Sequence, residues 1–236
     1  MPSLISTARR AGLLYVLMGL PAPVNLMYLT RRFIVPRDAA ATMRNIAENQ
    51  MTYRLAMLCG LVSAIGFVVL VMTLYEMFKD IDRRQARLMV GLVLVSATIG
   101  LVTTAIEFGP LIMLNSADAL SAFTKPQLDA LGFGFLRLRS ATINVNAMLW
   151  GLWLLPLGIL VIRSEFIPRF IGWFLVLGCA SYMTGSLTAL LFPAYLGRVT
   201  NVTLPLAAPG ELCMMFWLLF GGARLRLSDP QPRFAN

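Results

Sequence analysis

The sequence predicts an all-α protein, a polytopic helical bundle embedded in a membrane. Of its residues 58% are hydrophobic and only 13% charged, where soluble domains run near one half and one quarter. Apolar runs of about 20 residues, the length that crosses a hydrocarbon core, recur along the whole chain of 236 residues. Basic residues cluster at the ends of these runs, as they do where helices leave a bilayer. No polar stretch is long enough to bury a second core. Residues 1–236 are therefore expected to form a single transmembrane domain.

Six spans are expected: Ala11–Leu29, Leu55–Phe78, Leu88–Ile106, Ala141–Ile162, Phe170–Phe192 and Leu204–Ala223. The first resembles a signal peptide in its basic start and apolar centre, but more apolar sequence follows and no A-x-A site appears, so it reads as an uncleaved span. Pro21 and Pro23 should kink it. The "PG" at Pro209 and Gly210 should interrupt the last span. Asp38 stands before "AAATMRNIAENQ" as an N-cap before helix formers, which predicts a short helix between the first two spans. "TKPQLDALGFGFLRLRS" mixes Leu, Phe and Arg and reads as an interfacial helix in the loop before the fourth. Gly60 with Ala64, Ser96 with Gly100, and Ser181 with Gly185 are small residues four apart, where helices approach closely.

The net charge of +9 arises from 20 Lys/Arg against 11 Asp/Glu. Because the basic residues flank apolar runs, they are read as anchors meeting lipid headgroups, and nucleic-acid binding is set aside. Eleven of them fall on the side of the N-terminus, with "KDIDRRQAR" the densest cluster in a short loop. By the positive-inside rule both termini are expected in the cytoplasm, in a bacterial inner membrane. The five arginines from Arg31 to Arg54 pull the other way.

Depth along each helix follows from counting about 1.5 Å per residue from its inner basic anchor. Glu211 and Tyr182 then lie at about 20 Å, Asn25 at about 22 Å, and Asn146 and Asn144 at about 25 to 29 Å. Glu107, at about 30 Å, should sit among headgroups. A charge within the membrane is costly and should be paired, protonated or functional. Arg54 is the first candidate partner for Glu211 and Arg139 the second. Asn144 and Asn146 are read as interhelical hydrogen-bonding groups.

Much chemistry is absent. The chain has no histidine, so no H-E-x-x-H zinc site and no Ser–His pair can form. Two aspartates at depth are missing, no lysine lies within a span, and "LGFGF" lacks the preceding strand of a dinucleotide loop. Cys59, Cys179 and Cys213 lie within apolar runs and form no disulfide framework. The methionines near Cys213 are read as core filler rather than copper ligands. No catalytic residue, metal ligand or cofactor is singled out.

"RRAGLLYVL", "VPRDAAATMRNI", "TLYEMF", "RSEFIPRFIGWFLVLGCASY" and "GELCMMFWLLF" occur in that order. Together they resemble a bacterial multi-pass family described only as domain of unknown function 4386, from about Arg9 to Gly222. The resemblance implies a helical membrane fold and carries no catalytic residues over.

Two classes of function fit these residues. A protein that binds or transports a small or lipid-like ligand would use Asn25, Arg54, Asn144, Tyr182 and Glu211 as a polar pocket in the outer half of the bundle, with the helix after Asp38 as its lid. An accessory or structural protein would use Glu211 and Arg54 as a helix clasp and its loops to meet protein partners that the sequence does not name. An intramembrane enzyme would require Glu211 to do acid–base work beside Arg and Tyr. In each case the lipid bilayer is the first partner.

Overall fold

The computed structural model describes residues 4–115 and 120–221. All regular elements among them are helical. They are α1 (Leu4–Gly19), α2 (Pro21–Pro23), a π-helical turn (Val24–Tyr28), α3 (Leu29–Phe33), α4 (Ala39–Glu48), α5 (Gln50–Phe78), α6 (Arg83–Asn115), α7 (Lys125–Leu152), α8 (Leu154–Arg163), α9 (Arg169–Leu191), a 3₁₀ turn (Pro193–Tyr195) and α10 (Leu196–Phe220). Six stretches are long and apolar enough to cross a membrane: Ser6–Phe33, Gln50–Phe78, Arg83–Asn115, Lys125–Arg163, Arg169–Leu191 and Pro193–Phe220. Their outer faces carry large apolar side chains, with Leu20, Leu190 and Phe220 at 70% exposure or more. A soluble monomer rarely displays such continuous apolar surface, whereas lipid tails solvate it. The chain is a multi-pass membrane protein.

The contacts divide into two compact units. The first comprises residues 1–16, 68–93 and 148–236, the second residues 17–67 and 94–147.

In the second unit, the expected kink appears as the π-helical turn after Pro21 and Pro23. α3 then ends at a turn in which Pro36 precedes Arg37 at φ 65° and Asp38 N–H bonds to the Val35 carbonyl at 3.2 Å. Proline followed by a left-handed residue is the signature of a type II turn. The Asp38 side chain accepts from Ala41 N–H at 2.8 Å and so caps α4 as expected. α4 is docked rather than free. Its Met43 and Ile46 are buried with Leu29, Phe33, Tyr53, Leu111 and Leu136, and Asn45 donates to the Phe33 carbonyl at 3.2 Å. Removing the cap with Asp38→Ala is expected to cost about 1 kcal/mol, read as an earlier unfolding midpoint in denaturing detergent. An unchanged midpoint would show that the turn, not the cap, holds α4.

The stretch expected to be an interfacial helix is instead the first half of α7, continuous from Lys125. The small-residue pairs serve close packing: Ala64 faces Gly100 on α6, and Ser96 donates to the Asn146 amide oxygen at 2.8 Å.

In the first unit, α8 and α9 form an antiparallel hairpin turned by "SEFIP", and α10 packs along α9. Phe166 in that turn stacks on Phe78 at 5.9 Å and lies 6.4 Å from Trp217. Asp82 caps α6 by accepting from the Arg84 and Gln85 amides at 3.0 and 3.1 Å, and its other oxygen takes the Arg163 guanidinium. Proline at 156 supplies no N–H to the Leu152 carbonyl, and there α7 gives way to α8. The expected interruption of the last span is not seen. α10 runs through both Pro205 and Pro209, because neighbouring protein can satisfy the carbonyls that proline frees. The final residues of that span, with Arg224, Arg226 and Arg233 used to orient the chain, lie outside the described residues.

Candidate functional site

Two buried polar centres form, one in each unit, and they differ in how completely their groups are satisfied.

The second unit holds Glu107 of α6 and Arg139 of α7, each with its side chain 1% exposed. Arg139 Nε donates to Glu107 Oε1 at 2.5 Å. Its Nη1 donates to Thr30 Oγ1 at 3.3 Å, and its Nη2 to the Asn25 carbonyl at 2.6 Å and the Asn25 amide oxygen at 3.3 Å. Asn25 Nδ2 reaches both Glu107 oxygens at 3.0 and 3.2 Å and the Ala56 carbonyl at 3.1 Å. The π turn makes this possible. Leu29 N–H bonds to the Val24 carbonyl, five residues back, so Asn25 is spared its usual α-helical donor and its carbonyl faces Arg139. Gly60 on α5 admits the amide: a Cβ there would lie 2.8 Å from Asn25 Cγ. Tyr53 adds a bond to the Glu107 carbonyl at 3.0 Å, one turn from Pro110. All three guanidinium nitrogens and both carboxylate oxygens are used. A network in which every charged side-chain atom has a partner holds helices together.

The first unit holds Glu211 on α10. Tyr15 of α1 donates to Oε2 at 3.4 Å and Tyr182 of α9 to Oε1 at 3.2 Å. Behind Tyr15 lies Trp153, with ring centroids 6.4 Å apart, and Trp150 meets Tyr182 edge-on at 6.5 Å. Tyr15 and Trp153 are buried, while Glu211, Tyr182 and Trp150 are partly exposed. Glu211 has no salt-bridge partner among the described residues. A carboxylate offers about four acceptor positions, and only two are contacted, both at distances beyond the roughly 2.5–3.0 Å usual for an O–H···O bond. This is a half-buried acid with no cationic partner among the described residues, flanked by aromatic rings.

Of the five residues expected to share a pocket, Tyr182 and Glu211 belong to the first unit and Asn25, Arg54 and Asn144 to the second. Tyr182 and Glu211 meet directly. Asn25 belongs to the Glu107–Arg139 network. Arg54 and Asn144 are exposed side chains on α5 and α7. Within its own unit Glu211 meets tyrosine hydroxyls, while Arg54, its expected partner, belongs to the other unit. The clasp that does form joins Glu107 to Arg139, so Glu107 is not among headgroups but fully enclosed. Tyr15, Trp150 and Trp153 were not expected at the site. Counted from Arg10, Tyr15 lies only about 8 Å along its helix. Anchor counting gives depth along one helix and does not say which side chains meet.

Fold and centres define a polytopic α-helical membrane protein with an ion-pair network in one unit and an acidic centre in the other. Residues 10–222 match the family model described as domain of unknown function (DUF4386). The chain belongs to this family. No curated protein and no solved structure matches it.

Proposed function

We propose that the protein binds a small or lipid-like ligand at Glu211, in a bacterial cytoplasmic membrane with both termini inside, and that transport is one use of such a site. The observation that carries the reading is the contrast between the two acids. Glu107 is paired with Arg139, and both its oxygens accept from a donor, which accounts for an architectural role. Glu211 keeps open acceptor positions, partial exposure and no cation. Uncompensated charge within a membrane span is expensive to maintain, and a binding partner is what would repay it. The inner-facing termini are supported by the Lys79–Arg87 cluster in a short loop.

Native mass spectrometry on gently purified protein tests the reading. A defined bound mass is expected on the wild type and absent from Glu211→Gln, whose unfolding midpoint should stay close to wild type. A bare wild type, or a variant that unfolds far earlier, would assign Glu211 to helix clasping and the protein to an accessory role.

A further inference from the structure

Resting on that reading of Glu211, we propose that its ligand is an organic cation, an amine or quaternary ammonium held by the carboxylate and by the aromatic side chains of Tyr182 and Trp150. Four observations converge. Glu211 is the acidic group of the centre, and no Lys or Arg pairs with it among the described residues. An anionic ligand would find no basic side chain there, whereas a cation would favour the ionised acid at depth.

The two groups that touch the carboxylate are both phenols, and each is in ring contact with a tryptophan. Aromatic faces attract alkylammonium groups through the ring quadrupole while solvating their methyl groups, which is how aromatic sites select such cations. A small metal ion asks for something else. Calcium or magnesium needs six or more oxygens or retained waters, and no group of three His, Cys, Asp or Glu able to hold a metal exists among the described residues. Finally, the centre is not fully enclosed. Glu211, Tyr182 and Trp150 all keep partial exposure, so a ligand can enter without unpacking buried Trp153 or Tyr15.

The Tyr182 hydroxyl and ring divide the labour. The hydroxyl orients the carboxylate, and the ring takes the ligand's alkyl surface. Tyr182→Phe should therefore retain most affinity, whereas Tyr182→Leu should lose roughly 3- to 30-fold, the range of a cation–π contact.

Isothermal titration of the purified wild type with choline chloride, with its uncharged isostere 3,3-dimethylbutan-1-ol and with sodium chloride tests the class, and native mass spectrometry runs alongside. Choline is expected to bind at least about tenfold more tightly than the isostere, a difference of about 1.4 kcal/mol. Glu211→Gln should remove that preference while its unfolding midpoint stays put. Equal binding of the isostere would overturn the cationic class and leave an apolar ligand site. Sodium acting as well as choline would reassign the site to an inorganic cation. A native bound mass without a basic nitrogen, together with no choline heat, would overturn the class but keep ligand binding at Glu211. Neither a bound mass nor choline heat would overturn both.

Discussion

Arg139→Met is expected to destabilise the protein by about 3–5 kcal/mol, the cost of leaving a buried carboxylate without its counter-charge. Glu107 would keep only the Asn25 amide, and the Asn25 carbonyl, spared its α-helical donor by the π turn, would lose its strongest partner. The loss comes from stranding Glu107, not from the intrinsic value of the pair, because desolvating two ions consumes most of their attraction. Adding Glu107→Gln should thus recover at least half of the deficit: the stranded charge disappears, and the Gln amide oxygen still accepts from Asn25. Unfolding midpoints of the wild type, both single variants and the double variant in denaturing detergent give the coupling. Additive losses would show that Glu107 and Arg139 do not act as a pair.

The same pair explains what the sequence could and could not reveal. Hydropathy placed the third span's end at Ile106 and the fourth span's start at Ala141, immediately before Glu107 and shortly after Arg139. Both helices in fact continue, to Asn115 and back to Lys125. A hydropathy average charges each ionised side chain its full solvation cost, and only the three-dimensional partner cancels it. Two residues that neutralise each other inside the bundle therefore look, one at a time, like span boundaries. Features written locally were legible. The Asp38 cap, the proline-induced break near residue 24, the six spans and the small-residue contacts each depend on residues a few positions apart. The Tyr15–Glu211 contact spans 196 positions, and no periodicity encodes it. Glu211 was still visible as a charge inside an apolar run, which is why one member of the site could be found without its neighbours.

Gly210→Ala is expected to weaken both fold and site, and the balance of terms decides the sign. Helix propensity favours alanine by up to about 1 kcal/mol. Against this, the added methyl would lie 2.7 Å from the Phe174 carbonyl carbon, 2.8 Å from Leu175 N and 2.8 Å from the Phe174 oxygen. All three are backbone atoms of α9 and cannot rotate away, so α9 and α10 must move apart. Overpacking of this kind costs about 1–3 kcal/mol, and contact with main chain places it near the top, for a net loss of about 2 kcal/mol. Gly91, with nothing within 4 Å of its added Cβ, provides the control: Gly91→Ala should be neutral or stabilising. The two substitutions share their chemistry and differ only in what the new methyl meets. Separation of α9 from α10 also bears on Glu211, the next residue. Its contact with Tyr182, at 3.2 Å, is already longer than a usual O–H···O bond, and a few tenths of an ångström more would break it. Gly210→Ala should therefore unfold earlier and lose whatever mass the wild type carries, whereas Glu211→Gln should lose the ligand alone. A Gly210→Ala protein as stable as wild type would mean that the helices are free to part there. The "PG" pair would then have no packing role, and the position of Glu211 would have to be set by the tyrosines themselves.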